Sequence, residues 1–168
     1  MIVFIGAPGA GKSTVGKSVA TRLGFDFRDS DELIEEYAGQ SISDIFVTEG
    51  EPKFRAIEEK IIVDYLDEGD GVFSLGGGAL GSTQVRDALK GHDVVWLQAG
   101  LSQTVERIGM NRNRPLLLGN VRGQLAELMS AREPLYRAAA TVSIDTSDLP
   151  VDQVVNLVCE ELRKVGIE

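Results

Sequence analysis

One cysteine, one histidine and one tryptophan occur in 168 residues. With Cys159 alone no internal disulfide can form, which fits a reducing compartment, and its helical spacing reads as buried packing. His92 stands alone in Gly91-His92-Asp93 and lacks partners for a metal centre, so it reads as an exposed turn. Trp96 lies in an apolar run and reads as core rather than as a stacking platform. No apolar run approaches the roughly 20 residues needed to cross a bilayer. The opening MIVFIGAPGAGKS has no basic n-region and no small-residue cleavage site, and does not read as a secretory signal. Repeats, low-complexity tracts and Pro/Ser-rich linkers are absent, which predicts a single domain over residues 1–168. Positive charge is short as well: 17 Lys and Arg face 26 Asp and Glu, a net charge of −9. Such a surface repels phosphate backbones and anionic membranes, and so excludes a general nucleic-acid binder.

What is present is ordinary in amount and specific in arrangement. The apolar fraction is 43% and the charged fraction 26%, as in a typical globular domain. A chain near this length hides roughly 70% of its unfolded surface. Residues 101–140 hold six arginines, no lysine and three acids. A local guanidinium concentration in an acidic chain suggests a small anionic ligand, because the planar fork matches carboxylate and phosphate.

Short apolar runs alternate with amphipathic segments. Ile2–Ile5, Phe25–Phe27, Gly71–Leu75, Val94–Leu97 and Thr141–Ile144 read as strands. Val15, Val19 and Leu23, then Phe54, Ile57, Ile61 and Tyr65, then Val151, Val154, Val158 and Leu162 recur at helical spacing. The alternation predicts a mostly parallel sheet with helices on both faces. Ser41-Ile42-Ser43-Asp44 resembles a capping box opening a short helix that ends near Gly50. Pro52 opens the next helix, through Leu66, and Pro150 precedes the last. Gly109–Gly119, GMNRNRPLLLG, fits neither period and reads as a mobile loop.

Gly6-Ala7-Pro8-Gly9-Ala10-Gly11-Lys12-Ser13, followed by Thr14, matches G-x-x-x-x-G-K-[ST] between a strand and a helix. Its glycines turn the backbone so that several N–H groups face one phosphate. The helix that follows aims its positive end at the same place. Lys12 supplies charge for the β- and γ-phosphates, and Ser13 a hydroxyl for Mg²⁺. The loop therefore implies ATP or a similar triphosphate with Mg²⁺. It leaves three readings open: a small-molecule kinase, a hydrolysing switch and a non-catalytic nucleotide sensor. Asp29, ending the second strand, is the nearest further Mg²⁺ candidate, ahead of Asp145.

The acceptor side is ambiguous residue by residue. Asp31 divides between a helix cap and a catalytic or substrate role. Gly76-Gly77-Gly78 is either a flexible strand end or a place where backbone meets ligand. Arg55, three and four residues before Glu58 and Glu59, forms at least a helix-surface pair. Arg132 reads on its own as a helix-end ion pair.

Taken in order, the PGAGKST loop, Asp29-Ser30-Asp31, Phe54-Arg55-Ala56-Ile57-Glu58, Ser74-Leu75-Gly76-Gly77-Gly78-Ala79, Arg114-Pro115-Leu116-Leu117 and Arg132-Glu133-Pro134-Leu135-Tyr136 resemble the shikimate kinase family from residue 2 to about residue 160. The resemblance implies a three-layer α/β/α fold with a five-stranded parallel sheet in the order 2-3-1-4-5. It implies transfer of the ATP γ-phosphoryl to the 3-hydroxyl of shikimate by a cytoplasmic enzyme; with no strong exposed apolar stripe to form an interface, a monomer is expected. By motif match, Asp31 holds the acceptor hydroxyls and is the candidate base, and Arg55 and Arg132 grip the carboxylate. Gly76, Gly77 and Gly78 line that pocket, and Asp29 joins Ser13 in the Mg²⁺ shell. Gly9, Ala10, Gly11, Lys12, Ser13 and Thr14 hold the phosphates, Arg114 reaches the transferring phosphate, and Arg107 and Pro150 flank adenine. Nothing functional is assigned to Ser30. Residues 109–119 are expected to close as a lid, since a kinase that admits water becomes an ATPase. Residues 31–62 are expected to form an acceptor-binding subdomain, with Phe46 and Phe54 as apolar walls or core. A kinase of another hydroxy acid such as gluconate is the alternative within enzymes, and a non-catalytic nucleotide sensor the alternative outside them.

Overall fold

The structure is a computed structural model, and it describes residues 1–110 and 120–167. Five strands are present: β1 Ile2–Ile5, β2 Phe27–Asp29, β3 Val72–Ser74, β4 Asp93–Gln98 and β5 Val142–Asp145. All pair in parallel, in the order β2-β3-β1-β4-β5. The expected sheet order is the observed one. The helices are α1 Lys12–Leu23, α2 Ser30–Ala38, α3 Ile42–Thr48, α4 Glu51–Glu68, α5 Thr83–Ala88, α6 Leu101–Met110, α7 Val121–Ala139 and α8 Val151–Lys164.

Strand register determines what meets at the carboxyl end of the sheet. Asp29 stands beside Ser74, and Ser74 beside Phe4. The chain leaves β1 one residue later and enters the phosphate loop. The loops after β1, β2 and β3 therefore open onto one crevice, as parallel sheets require of their carboxyl ends.

The central strands are apolar on both sides because helices cover both faces. Phe4, Val95 and Leu97 join Val15 and Val19 of α1 and Val154, Val158 and Leu162 of α8. Val3, Ile5, Phe73 and Trp96 join Ile62 and Leu66 of α4, Val85 of α5 and Tyr136 of α7. Cys159 is buried in the first of these clusters, as its spacing suggests, and Trp96 in the second. A third, smaller cluster of Ile34, Ile45 and Phe54 joins α2, α3 and α4, with the Phe46 ring centroid 4.7 Å from that of Phe54. Side chains of this size contribute about 1.5–3 kcal/mol each when fully buried, so the lobe has a modest core of its own.

Several boundaries differ from expectation. The second strand begins at Phe27 rather than Phe25, which places Asp29 inside the strand as the N-cap of α2. In α4 the buried stripe is Phe54, Glu58, Ile62 and Leu66, not Phe54, Ile57, Ile61 and Tyr65. The helix serves two partners: Ile57 and Ile61 pack toward the small lobe while Ile62 and Leu66 face the sheet. Val151 is exposed at the start of α8. Gly109 and Met110 belong to α6, and residues 111–119 of the expected loop lie outside the described residues. His92 is half-buried rather than exposed, with its N–H donating to the Leu89 carbonyl at 3.1 Å. The capping box is present: the Ser41 hydroxyl accepts from the Asp44 N–H at 3.1 Å.

Candidate active site

The phosphate loop uses left-handed backbone at Gly9 (φ 77°) and Gly11 (φ 91°), conformations that favour glycine. The Ala10 N–H donates to the Ala7 carbonyl at 3.1 Å and closes the turn. Lys12, only 8% exposed, folds back over the loop. Its Nζ donates to the carbonyls of Gly6 at 3.0 Å and Ala7 at 2.9 Å. The ammonium is thus held where loop and helix dipole converge on an anion. Arg107 of α6 reaches across from the other side, donating to the Gly9 carbonyl at 3.2 Å.

Two oxygen donors stand together beside the loop. The Ser13 hydroxyl donates to Asp29 Oδ2 at 2.5 Å, while Asp29 Oδ1 accepts from the Asp31 N–H at 2.9 Å. A hydroxyl and a carboxylate are the hard donors Mg²⁺ takes when it keeps most of its water. The donor set at the end of β2 therefore fits that ion. No cluster of three or more acidic, His or Cys ligands exists among the described residues.

A cleft of about 790 Å³ connects these parts. Pro8, Lys12, Ser13, Asp31, Gly76 and Arg107 are among its walls. Asp31 enters it from the first turn of α2. Beside it the Ser30 hydroxyl, fully buried, accepts from the Gly76 N–H at 2.9 Å. Ser30 therefore ties the start of α2 to the end of β3. Its contribution is invisible in the sequence, since its partner lies 46 residues away.

The three glycines are required by close approach rather than by unusual φ. A Cβ on Gly76 would stand 2.9 Å from a Glu58 carboxylate oxygen, and one on Gly77 2.6 Å from Pro8 Cδ. One on Gly78 would stand 2.5 Å from Arg55 Nη1. Arg55 is held by Glu58, whose Oε2 accepts from Nη1 at 2.6 Å, and more loosely by Glu51 at 3.5 Å. Glu58 is 3% exposed. A carboxylate buried so deeply needs a charged partner, so the pair is built in behind Gly76 and Gly78 and is not a surface ion pair. Arg132 lies in the interior of α7, not at a helix end, with Pro134 within the same helix. One turn later the buried Tyr136 hydroxyl donates to the Gly77 carbonyl at 2.5 Å. Burial pushes the Tyr136 phenol above its ordinary range, and the charges of Arg132 and Arg55 pull the other way. Both guanidinium groups thus act on one phenol beside Gly77.

The structure brings the phosphate loop, Asp31, Gly76 and Arg107 onto one cleft, with Asp29 on Ser13, Gly77 on Pro8 and Gly78 on Arg55; Arg132 stands one turn before Tyr136 on α7. Pro150 stands apart from the cleft walls as the N-cap of α8. Its preceding loop is tied to α6 by Gln103 Nε2 donating to Asp148 Oδ1 at 3.2 Å. Arg112 and Arg114 lie outside the described residues. Ser30, Glu58 and Tyr136 were not singled out by sequence. The only advance signal was their place beside assigned residues in Asp29-Ser30-Asp31, Phe54–Glu58 and Arg132–Tyr136.

A parallel five-stranded sheet in this order, with a triphosphate loop after β1 and an acceptor cleft beside it, defines a P-loop small-molecule kinase. A family model described as shikimate kinase matches residues 8–163. A shikimate kinase of Thermobifida fusca is 43% identical over 99% of this chain and 96% of its own length. One of Mycobacterium avium is 47% identical over 95% of this chain and 92% of its own. The solved shikimate kinase of Acinetobacter baumannii, in complex with shikimate, superposes with a TM-score of 0.93 at 32% identity, covering 99% of this chain and 95% of that one. The chain belongs to the shikimate kinase family, and with it to the ATP-dependent phosphotransferases.

Proposed function

We propose that this chain carries out its family's reaction, transfer of the ATP γ-phosphoryl to the 3-hydroxyl of shikimate, with the residues gathered in the cleft. One observation carries the assignment: Pro8 of the phosphate loop packs directly on Gly77, next to the Arg55–Glu58 pair. Donor and acceptor sites share a wall, so the two substrates lie side by side in one cleft.

Each role follows from chemistry. Backbone N–H groups of Gly9 to Thr14 and the Lys12 ammonium bind the β- and γ-phosphates. Arg107, lying over Gly9, flanks the nucleotide on the opposite side, with the Pro150 loop behind it. Asp31 accepts hydrogen bonds from the acceptor hydroxyls and orients the attacking one. Arg55 and Arg132 bind the carboxylate through charge-assisted bonds, and Gly76, Gly77 and Gly78 let the ring approach the backbone. Ser13 and Asp29 would hold Mg²⁺, which supplies charge neutralisation on the phosphates when bound. Phosphoryl transfer depends chiefly on positioning and such neutralisation, so a carboxylate that orients the hydroxyl suffices at Asp31. Arg114, by its motif, belongs to the same set as the guanidinium for the transferring phosphate.

Residues 31–62 act as the acceptor-binding subdomain of a single domain, a division supported by the separate Ile34, Ile45 and Phe54 cluster. We infer a cytoplasmic monomer that binds neither membrane nor nucleic acid. Its net charge of −9 opposes anionic polymers. No helix among the described residues is long and apolar enough to cross a membrane.

A coupled assay of ADP release with shikimate, with gluconate and with no acceptor tests the reading. Shikimate-dependent release is expected. Gluconate-dependent release would move the acceptor assignment, and acceptor-independent release would make the protein an ATPase. Nucleotide binding without turnover would make it a sensor.

A further inference from the structure

We propose that Tyr136 is a positioning residue for the acceptor: its hydroxyl fixes the Gly77 carbonyl, and so sets the Gly77–Gly78 backbone against which Arg55 packs. The inference deepens the acceptor assignment above and rests on it.

The geometry has four parts. Tyr136 follows Arg132 by four residues on α7, so both project from one helix face. Its phenol enters the protein interior, 3% exposed, with its ring centroid 6.0 Å from that of Trp96. The hydroxyl donates to the Gly77 carbonyl at 2.5 Å, at the short end for an O–H···O bond. On its other side Gly77 is closed by Pro8, and Gly78 by the Arg55 guanidinium.

The Gly77 peptide is therefore clamped between the phosphate loop and α7. Glycine has no side chain with which to hold its own orientation, so an outside group must do it. If the phenol is removed, the Gly77 carbonyl is left buried without its donor, and the peptide can turn to seek another. That rotation shifts Gly78 against Arg55. It also removes the phenol that stands beside the Arg132 charge, one turn earlier on α7. Arg55 is thus adjusted through the Gly77–Gly78 backbone, and Arg132 through the phenol beside it, by one hydroxyl that need not touch the substrate.

A purely architectural Tyr136 would loosen the whole domain alike. A positioning Tyr136 affects one substrate. The test is Tyr136→Phe, which keeps the ring and removes only the hydroxyl, with KM measured for each substrate. Expected is a shikimate KM raised about tenfold, the equivalent of one lost buried hydrogen bond, with the ATP KM and kcat changed by less than about twofold. In an Arg132→Ala background the same change should raise the shikimate KM by clearly less than in the parent, because the two act through one site. An unchanged shikimate KM, or equal rises for both substrates, overturns the proposal. If Tyr136→Phe is too unstable to assay, 3,5-difluorotyrosine placed at position 136 keeps the size and the hydroxyl but ionises at lower pH. An ionised phenol cannot donate to Gly77, so the alkaline loss of shikimate binding should move to lower pH, and an unmoved limb overturns the proposal. Wild-type protein lacking any shikimate-dependent turnover would remove the acceptor reading and this inference together. Shikimate-dependent wild-type turnover with a normal shikimate KM in Tyr136→Phe would remove this inference alone.

Discussion

The Ser30 hydroxyl accepts a hydrogen bond from the Gly76 N–H at 2.9 Å, joining the first residue of α2 to the loop after β3. Asp31, the next residue, takes its place in the cleft from this bond and from Asp29, which caps the same helix. Ser30→Ala leaves a part-buried N–H without its acceptor, a loss of about 1 kcal/mol. The expected outcome is a lowered unfolding midpoint and a roughly tenfold fall in kcat/KM for shikimate, with the ATP KM little changed. Urea titration and initial-rate kinetics check the two halves separately. Ser30→Thr, which keeps the hydroxyl, should retain more of both.

Lys12→Ala tests the donor side. The ammonium lies over the loop through the carbonyls of Gly6 and Ala7, positioned for a phosphate that carries more charge in the transition state. Its removal should lower kcat by about 10²–10³, the loss typical when one preorganised donor is removed. The domain should stay folded, because the turn is also closed by Ala10 on Ala7 and by Val15 on Gly11. Circular dichroism paired with single-turnover phosphoryl transfer is the check. Wild-type turnover in this variant would dismiss the role given to Lys12.

Much of this arrangement was legible in the residues. The phosphate loop announces itself because its chemistry is local: glycines, lysine and serine act within eight positions. The strand–helix alternation and the capping box at Ser41 are local too, and both are present, although the second strand begins two residues later than its apolar run. What stayed hidden is non-local. Glu58 looks like one of a pair of surface acids until α4 turns it toward Gly76 and Arg55. Ser30 looks like a spacer until its partner arrives from 46 residues away, and Tyr136 meets Gly77 across 59. The hydrophobic period of α4 points one position away from its buried stripe because the helix packs on both the sheet and the small lobe. A single hydrophobic period describes a helix with one buried face, and α4 has two.

Arg132→Ala separates the two substrates. Its motif and its place beside Tyr136 put it with the acceptor, where a charge-assisted bond is worth about 1.5–3 kcal/mol. The shikimate KM should rise roughly 10- to 100-fold, and the ATP KM should hold. Equal loss of both would move Arg132 to the nucleotide side.

Gly78→Ala examines the close approach of backbone and guanidinium. The added methyl would stand 2.5–2.8 Å from three atoms of the Arg55 guanidinium. That group is the end of a flexible side chain, so it yields before the backbone does. Its yielding breaks the geometry set by Glu58 at 2.6 Å. Thermal stability should therefore fall somewhat, because the buried Glu58 carboxylate loses its well-placed partner, while shikimate affinity falls by about tenfold or more. A large drop in unfolding temperature with normal shikimate KM would show that the glycine serves packing instead.

His92 gives a pH-dependent prediction away from the cleft. Burial holds its imidazole below the ordinary 6.5, and the nearby N-terminal ammonium adds to the shift, against the opposing pull of Asp93. The unfolded chain therefore binds this proton more readily than the folded one. The histidine costs no stability above about pH 7.5, and lowers stability as pH falls through its unfolded value toward its folded one. His92→Gln cannot take up that proton. Between about pH 7.5 and 5.5 its unfolding free energy should fall less steeply than that of the parent. Urea unfolding at a series of pH values measures the difference, and parallel slopes for the two proteins would assign the acid sensitivity in this range to other groups.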